Sequence, residues 1–215
     1  MLVSVDYTII QLTKMKYADF RSKMIKPVFS TAEAQVVAFG TAPATLRYQL
    51  HQWIQSQKLI HLKRGVYAFA DQTQTIQDMA RALYAPCYIS LEWALNAYNL
   101  IPDIPFSITL VTSKSTREFK TPRGHFTYQT IKKPAFSGYD PHTLLATKEK
   151  ALVDFFYLTM DRLTPRADFW EVQRWQNLET LDFKKVFYFA GLFQSKKLKA
   201  LLESFYHYAT TRPTA

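Results

Sequence analysis

A single cysteine, Cys87, stands among the 215 residues, so no disulfide can form within the chain and no thiolate metal site can be built from it. Beside Tyr88 and Ile89 it reads as a small buried apolar residue, and a reducing cytoplasm is the natural compartment. Glycine is nearly as scarce. All five (Gly40, Gly65, Gly124, Gly138 and Gly191) are isolated, which excludes a phosphate-cradling loop and a dinucleotide-binding fingerprint. No Gly-x-Ser-x-Gly elbow occurs, so that route to a nucleophilic serine is closed. His51, His61, His125, His142 and His207 fall at no metal-ligand spacing, and neither a metal nor a cofactor is expected. Met1 to Leu12 include Asp6 and lack the basic start of a secretory leader. No apolar run approaches the ~20 residues a membrane span needs, so no membrane partner is expected.

Acidic residues are missing from one long stretch. Lysine and arginine number 27 against 17 aspartates and glutamates, a net charge of +10, which suits a polyanionic partner such as nucleic acid. Between Glu33 and Asp71 there is no carboxylate, while Arg47, Lys58, Lys63, Arg64, His51 and His61 all fall inside. The rest of the chain mixes both signs, so the positive field is concentrated early.

That early segment reads as three helices and a hairpin. Tyr17, Phe20, Met24, Ile25 and Val28 recur at helical spacing and predict a first helix that Pro27 helps to end. Ser30 followed by Glu33 is a capping-box signature for a short second helix, which should stop near Phe39-Gly40. Thr41 is expected to start a third helix, with Pro43 in its first turn. Leu46, Leu50, Trp53 and Ile54 form its apolar stripe. Thr41, Ala44, Thr45, Tyr48, His51, Gln52 and Gln55 lie opposite, with Arg47 and Gln49 flanking. Small, amide-bearing and cationic side chains on one helix face are what major-groove reading requires, since threonine approaches thymine methyls, glutamine bonds adenine and arginine bonds guanine or phosphate. Alone, this helix reads better as an ordinary amphipathic helix with a solvated polar face. The hairpin that follows decides: Leu59 to Lys63 as a strand, Arg64-Gly65 as the turn, and Val66 to Phe69 as the return. The expectation is a winged helix-turn-helix over residues 1–72 that binds double-stranded DNA. Thr41, Thr45, Arg47, Tyr48, Gln49 and Gln52 would face the groove, with Lys63 and Arg64 on phosphate.

Residues 73–215 read as a mixed α/β domain, making the whole chain α+β. A linking helix over Gln74 to Leu83 leads to an extended Cys87-Tyr88-Ile89. Ser90 should cap a helix carrying Leu91, Ala94, Leu95 and Tyr98. Strands are predicted over Phe106 to Val111, Glu118 to Lys120 and His125 to Ile131, the last two joined by Pro122-Arg123-Gly124. Thr147 should cap a helix burying Ala151, Leu152, Phe155 and Phe156. Two more helices carry Phe183, Val186, Phe187 and Ala190, then Leu198, Leu201, Leu202 and Phe205. Thr210 to Ala215 read as a frayed tail. Lys196, Lys197 and Lys199 crowd the first turn of the last helix, after the cap Ser195, where cations oppose the helix dipole. The simpler reading is a solvated cluster costing on the order of a few tenths of a kcal/mol; the other is a surface facing phosphate or an acidic partner.

Asp103 and then Glu118-Phe119-Lys120 match a permissive nuclease pattern in which two carboxylates hold Mg²⁺ and a lysine helps to activate water. A turn aspartate and a surface strand spell the same letters. Glu149 and Asp154 lie on one helix but on different faces, as a helix-start charge and a structural hydrogen-bond acceptor. Beside DNA binding, a Mg-dependent nuclease and a non-catalytic protein-interaction module stay open as alternatives.

The tract Leu59 to Phe69 with Lys63-Arg64-Gly65-Val66-Tyr67 resembles the wing of AbiE-type (AbiEi) antitoxins of type IV toxin–antitoxin systems. Tyr88-Ile89-Ser90-Leu91-Glu92-x-Ala94-Leu95, Asn99 to Pro102, Ile108 to Thr112 and Ala146-Thr147-x-Glu149-Lys150-Ala151-Leu152-x-Asp154 resemble that family's second domain. Lys148 departs from the proline expected there, which hardly affects the fold. The resemblance covers about residues 30–158. It implies a non-enzymatic autorepressor that binds inverted repeats in its own promoter. It further implies an antitoxin opposing a nucleotidyltransferase toxin without a stable complex being required, and makes Lys148, Glu149, Lys150 and Asp154 the candidates in the second domain.

Overall fold

The structure, a computed structural model, describes residues 14–162, 170–171 and 174–211. The Met1 to Leu12 reading and the end of the expected tail, 212–215, lie outside the described residues. The chain is of mixed α+β class with two small sheets and, among the described residues, eight α-helices. It divides into two compact units after Ala82.

The first unit runs α1 (Tyr17–Lys23), β1 (Val28–Ser30), α2 (Thr31–Val37), α3 (Pro43–Gln55), β2 (Leu59–Lys63) and β3 (Val66–Phe69), with α4 (Ile76–Tyr84) across the division. Its sheet is antiparallel in the order β1-β3-β2. Helix α1 is shorter than the apolar periodicity predicts. Pro27 disfavours helical backbone at Lys26, and the chain leaves the helix after Lys23. Ile25 is left exposed, while Val28 pairs with Ala68 as a strand residue. The expected helix thus conceals β1.

Helix α2 starts on a complete capping box. Ser30 Oγ accepts from Glu33 N at 3.2 Å, and Ser30 N donates to Glu33 Oε2 at 2.7 Å. Two otherwise unpaired amides are satisfied at once. Gly40, at φ +86°, makes the left-handed turn that a side chain would resist. Helix α3 then begins with Pro43 at its first position, where a missing N–H costs nothing. Its N-cap is Ala42, which makes no side-chain cap bond. Thr41, the expected start, is buried, its N–H donating to Ala38 O and its carbonyl accepting from Gln35 Nε2.

Leu46, Leu50 and Trp53 of α3 enter a core with Phe20, Phe29, Leu59 and Phe69. Aromatic rings dominate it, with centroids 5.0 Å apart for Phe20–Trp53 and 5.1 Å for Phe29–Phe69. Each such side chain withdrawn from water contributes about 1.5–3 kcal/mol, which lets helices as short as α1 and α2 persist.

The second unit carries β4 (Cys87–Ile89), α5 (Leu91–Ala97), β5 (Ile108–Thr112), β6 (Arg117–Thr121), β7 (Gly124–Thr130), α6 (Lys148–Thr159), α7 (Phe183–Gly191) and α8 (Lys196–Thr211). The sheet order is β4-β5-β7-β6, with β5 and β7 parallel and the other pairs antiparallel. The β6–β7 hairpin closes at Thr121↔Gly124, so β7 folds back between β6 and β5. Phe106 is 94% exposed and lies before β5, which corrects the expected strand start. Phe155 is half-buried, and Thr210 and Thr211 belong to α8 rather than to a tail. Helix α6 packs on α5, α7 and α8. Thr147 caps it, accepting from Lys150 N.

Candidate functional site

Helix α3 divides its polar residues between two environments. Arg47, Tyr48, His51, Gln52 and Gln55 are exposed and Thr45 is half-buried. Gln49 is buried instead, its Nε2 donating to Met15 O at 2.6 Å. Gln49 and Thr41 are therefore removed from the outward face that the sequence assigns to them. The reason is the helical period: Gln49 lies three residues beyond Leu46 and four before Trp53, at the edge of the apolar stripe.

At the hairpin turn Gly65 has φ +76°, and Arg64 is exposed. Lys63 is half-buried, paired with Val66 in the ladder beside a bulge at His61/Lys63. Several cations of this unit have internal partners. Arg21 bonds Asp71 and lies 4.4 Å from the Phe69 ring centre; Lys26 bonds Glu33; Lys58 sits 4.9 Å from the Tyr17 ring centre. Arg47 and Arg64 make no ion pair with any described residue. Burial acts to raise the Glu33 carboxyl, but the hydrogen bonds from Lys26 and Ser30 outweigh it and hold it below its ordinary value.

In the second unit the family-like motifs converge in the interior. Lys150 and Asp154 are both fully buried and ion-paired one helical turn apart on α6. Asp154 Oδ2 also accepts from Tyr88 Oη at 2.7 Å and from Ser90 Oγ at 2.9 Å. The expected cap at Ser90 is thus not made: its hydroxyl is directed to Asp154, and the Trp93 amide in the first turn of α5 donates to Thr109 Oγ1 at 3.1 Å. Burial pushes the Asp154 carboxyl above its ordinary value against the opposing pull of Lys150, Tyr88 and Ser90. Burial also lowers the Lys150 ammonium, and Asp154 resists that. Lys150 Nζ lies 4.7 Å from the Phe193 ring centre. Both side chains are closed off from solvent, and through Tyr88 and Ser90 the pair joins β4 and the start of α5 to α6.

Glu149, read as a helix-start charge, is buried, with Oε1 accepting from Asp182 N at 3.3 Å. Of the four candidates only Lys148 is partly exposed. Read from the sequence, Tyr88 and Ser90 hold other roles and Gly138 none. Tyr88 and Ser90 stand there as a strand residue and a helix cap, and their shared bond to Asp154 is set by tertiary packing. Gly138 was not legible either, because its φ of +78° and the Phe189 ring against it arise from tertiary packing.

Each charged residue of the nuclease pattern is engaged in an ion pair. Asp103 Oδ1 accepts from Arg174 at 3.2 Å, while Glu118 pairs with Lys120 at 3.6 Å on β6. Among the described residues no three His, Cys, Asp or Glu side chains group as metal ligands, and no helix is long and apolar enough to cross a membrane. No protein-family model matches the chain, and no curated protein sequence does.

Proposed function

We propose that this protein is a DNA-binding autorepressor whose first unit is a winged helix-turn-helix, and that it serves as the antitoxin to a nucleotidyltransferase toxin. The order α1-β1-α2-α3-β2-β3, with the sheet order β1-β3-β2, supports the winged-helix reading. The observation that carries DNA binding is the outward face of α3. Arg47, Tyr48, His51 and Gln52 are exposed there, in a segment without a carboxylate from residue 34 to 70. In this reading Thr45, Arg47, Tyr48 and Gln52 read base edges, and Lys63 and Arg64 approach phosphate. The antitoxin half rests on the resemblance around Tyr88 to Pro102 and Ala146 to Asp154. Lys150 and Asp154 serve it as scaffold, and Lys148 is its accessible member.

Fluorescence anisotropy with a duplex from the protein's own upstream region tests the first half. Replacing Lys63 and Arg64 by alanine should weaken binding to every duplex and flatten the salt dependence. An unchanged salt slope would remove both residues from the interface. Co-expression with a nucleotidyltransferase encoded beside it tests the second half: growth should be restored by the intact chain, and failure to restore it would refute the antitoxin role.

A further inference from the structure

A groove of about 690 Å³ runs between the end of α7 and the start of α8. Its floor is Phe187, Ala190 and Gly191, and Lys196, Lys199 and Glu203 of α8 stand along its rim. Two features of this place are unexplained by the fold. The first is Gly191. Its backbone is not left-handed, and a Cβ built there would meet nothing within 4 Å. Gly191 closes α7, and neither a left-handed backbone nor close packing requires glycine there; what it leaves is an open floor.

The second feature is charge. Lys196, Lys197 and Lys199 begin a helix whose dipole disfavours cations at that end. Lys197 is matched by Asp161 at 2.6 Å, and Lys199 reaches Glu203 only at 3.8 Å. Lys196 has no ion pair with a described residue. Lys196, Lys199 and Glu203 follow one another at helical spacing on one side of α8, above an apolar floor.

We propose that this groove docks an acidic amphipathic helix of a partner protein. One leucine-sized side chain of the partner would lie over Gly191, with carboxylates against Lys196 and Lys199. An apolar stripe in a groove with charged flanks is a common mode of helix recognition, and opposite charges on the rim favour encounter and orientation.

The test uses the full chain and a labelled ~15-residue peptide, long enough to form a helix on binding, with leucines at i, i+3 and i+7 between glutamates. Fluorescence anisotropy should report saturable binding that weakens as salt is added. Lys196→Glu with Lys199→Glu should lower affinity about tenfold, as should Gly191→Leu, which fills the floor. Circular dichroism should show both variants folded, and Gly191→Ala provides a smaller filling in case leucine distorts the helix. A scrambled peptide of equal charge that binds as tightly would overturn the proposal, since charge alone would then suffice. Inorganic phosphate displacing the peptide at low millimolar concentration, with Gly191→Leu indifferent, would overturn it in favour of a simple anion site. No binding of the amphipathic peptide by the intact chain would overturn it outright.

Discussion

Tyr88 donates its phenol to Asp154 Oδ2 at 2.7 Å across 66 residues of chain, and so fastens strand β4 to helix α6. Ser90 reaches the same oxygen and Lys150 the other one. Removing one charge from such a buried pair strands its partner, at about 3–5 kcal/mol, whereas replacing both by apolar groups is far milder. Lys150→Met alone should therefore cost much more stability in urea unfolding than Lys150→Met with Asp154→Leu. Equal losses would mean that the two charges are not coupled.

The single variant also has a predicted pH signature. Burial raises the folded Asp154 carboxyl above its ordinary value, and without the ammonium that rise is less opposed. The folded state then binds the proton more tightly than the unfolded chain. Stability is full below the unfolded carboxylate range and declines as pH rises to the folded value. Chemical denaturation of Lys150→Met across that range should show the decline, with a shallower one in the unaltered protein. A flat profile in the variant would exclude a buried, titrating Asp154.

Ser30→Ala removes half of the capping box and should lower the stability of the first unit by about 1 kcal/mol. Glu33 is held below its ordinary value. Its contribution is present above the unfolded carboxylate value and is lost as pH falls through the folded one. Glu33→Gln should be destabilised near neutral pH and less sensitive to acid. An acid limb identical to that of the unaltered protein would show that Glu33 contributes no linkage.

Gln49 and Gln52 lie one turn apart on α3 and should behave oppositely. Gln49→Ala abolishes the bond to Met15 O and should cost stability, about 0.5–1.5 kcal/mol, the net worth of an ordinary hydrogen bond. Gln52→Ala, on the exposed side, should leave the melting temperature unchanged and relax preference at one base pair by ~1–3 kcal/mol. Loss of affinity for specific and random duplexes alike would remove Gln52 from base readout.

Gly138→Ala places a Cβ 2.6 Å from Phe189 Cε1 and 3.0 Å from Lys150 Cγ, at a φ of +78°. Left-handed strain alone costs ~1 kcal/mol, and the ring must move as well. A loss of about 2 kcal/mol or more is expected in thermal unfolding. A neutral result would mean that the loop yields freely.

Where local chemistry decides, the fold was legible in the residues. Ser30/Glu33 and the Arg64-Gly65 turn each act within a few positions, and α2 starts and β2 and β3 run where the sequence places them. Pro43 lies in the first turn of α3, although that helix begins two residues after Thr41. Strand β1 was hidden because three residues carry no period, and Val28 also fits the helical stripe before it. Gln49 is turned inward because a residue at the edge of a stripe goes where a neighbouring carbonyl, here Met15 O, receives it. The interior network was half legible. Lys150 and Asp154 are one turn apart in sequence, but only tertiary folding sends Ser90 to Asp154 instead of to its own helix end.

Thr31 N and Thr31 Oγ1 both donate to Gly65 O, at 2.8 and 3.3 Å. The opening residue of α2 is thereby knotted to the bend of the hairpin 34 positions later. The backbone next to Arg64 is tied to the start of α2. Any lengthening of the bend would break that knot and let the arginine drift relative to α2, so the spacing of the bend is itself part of whatever shape this unit presents.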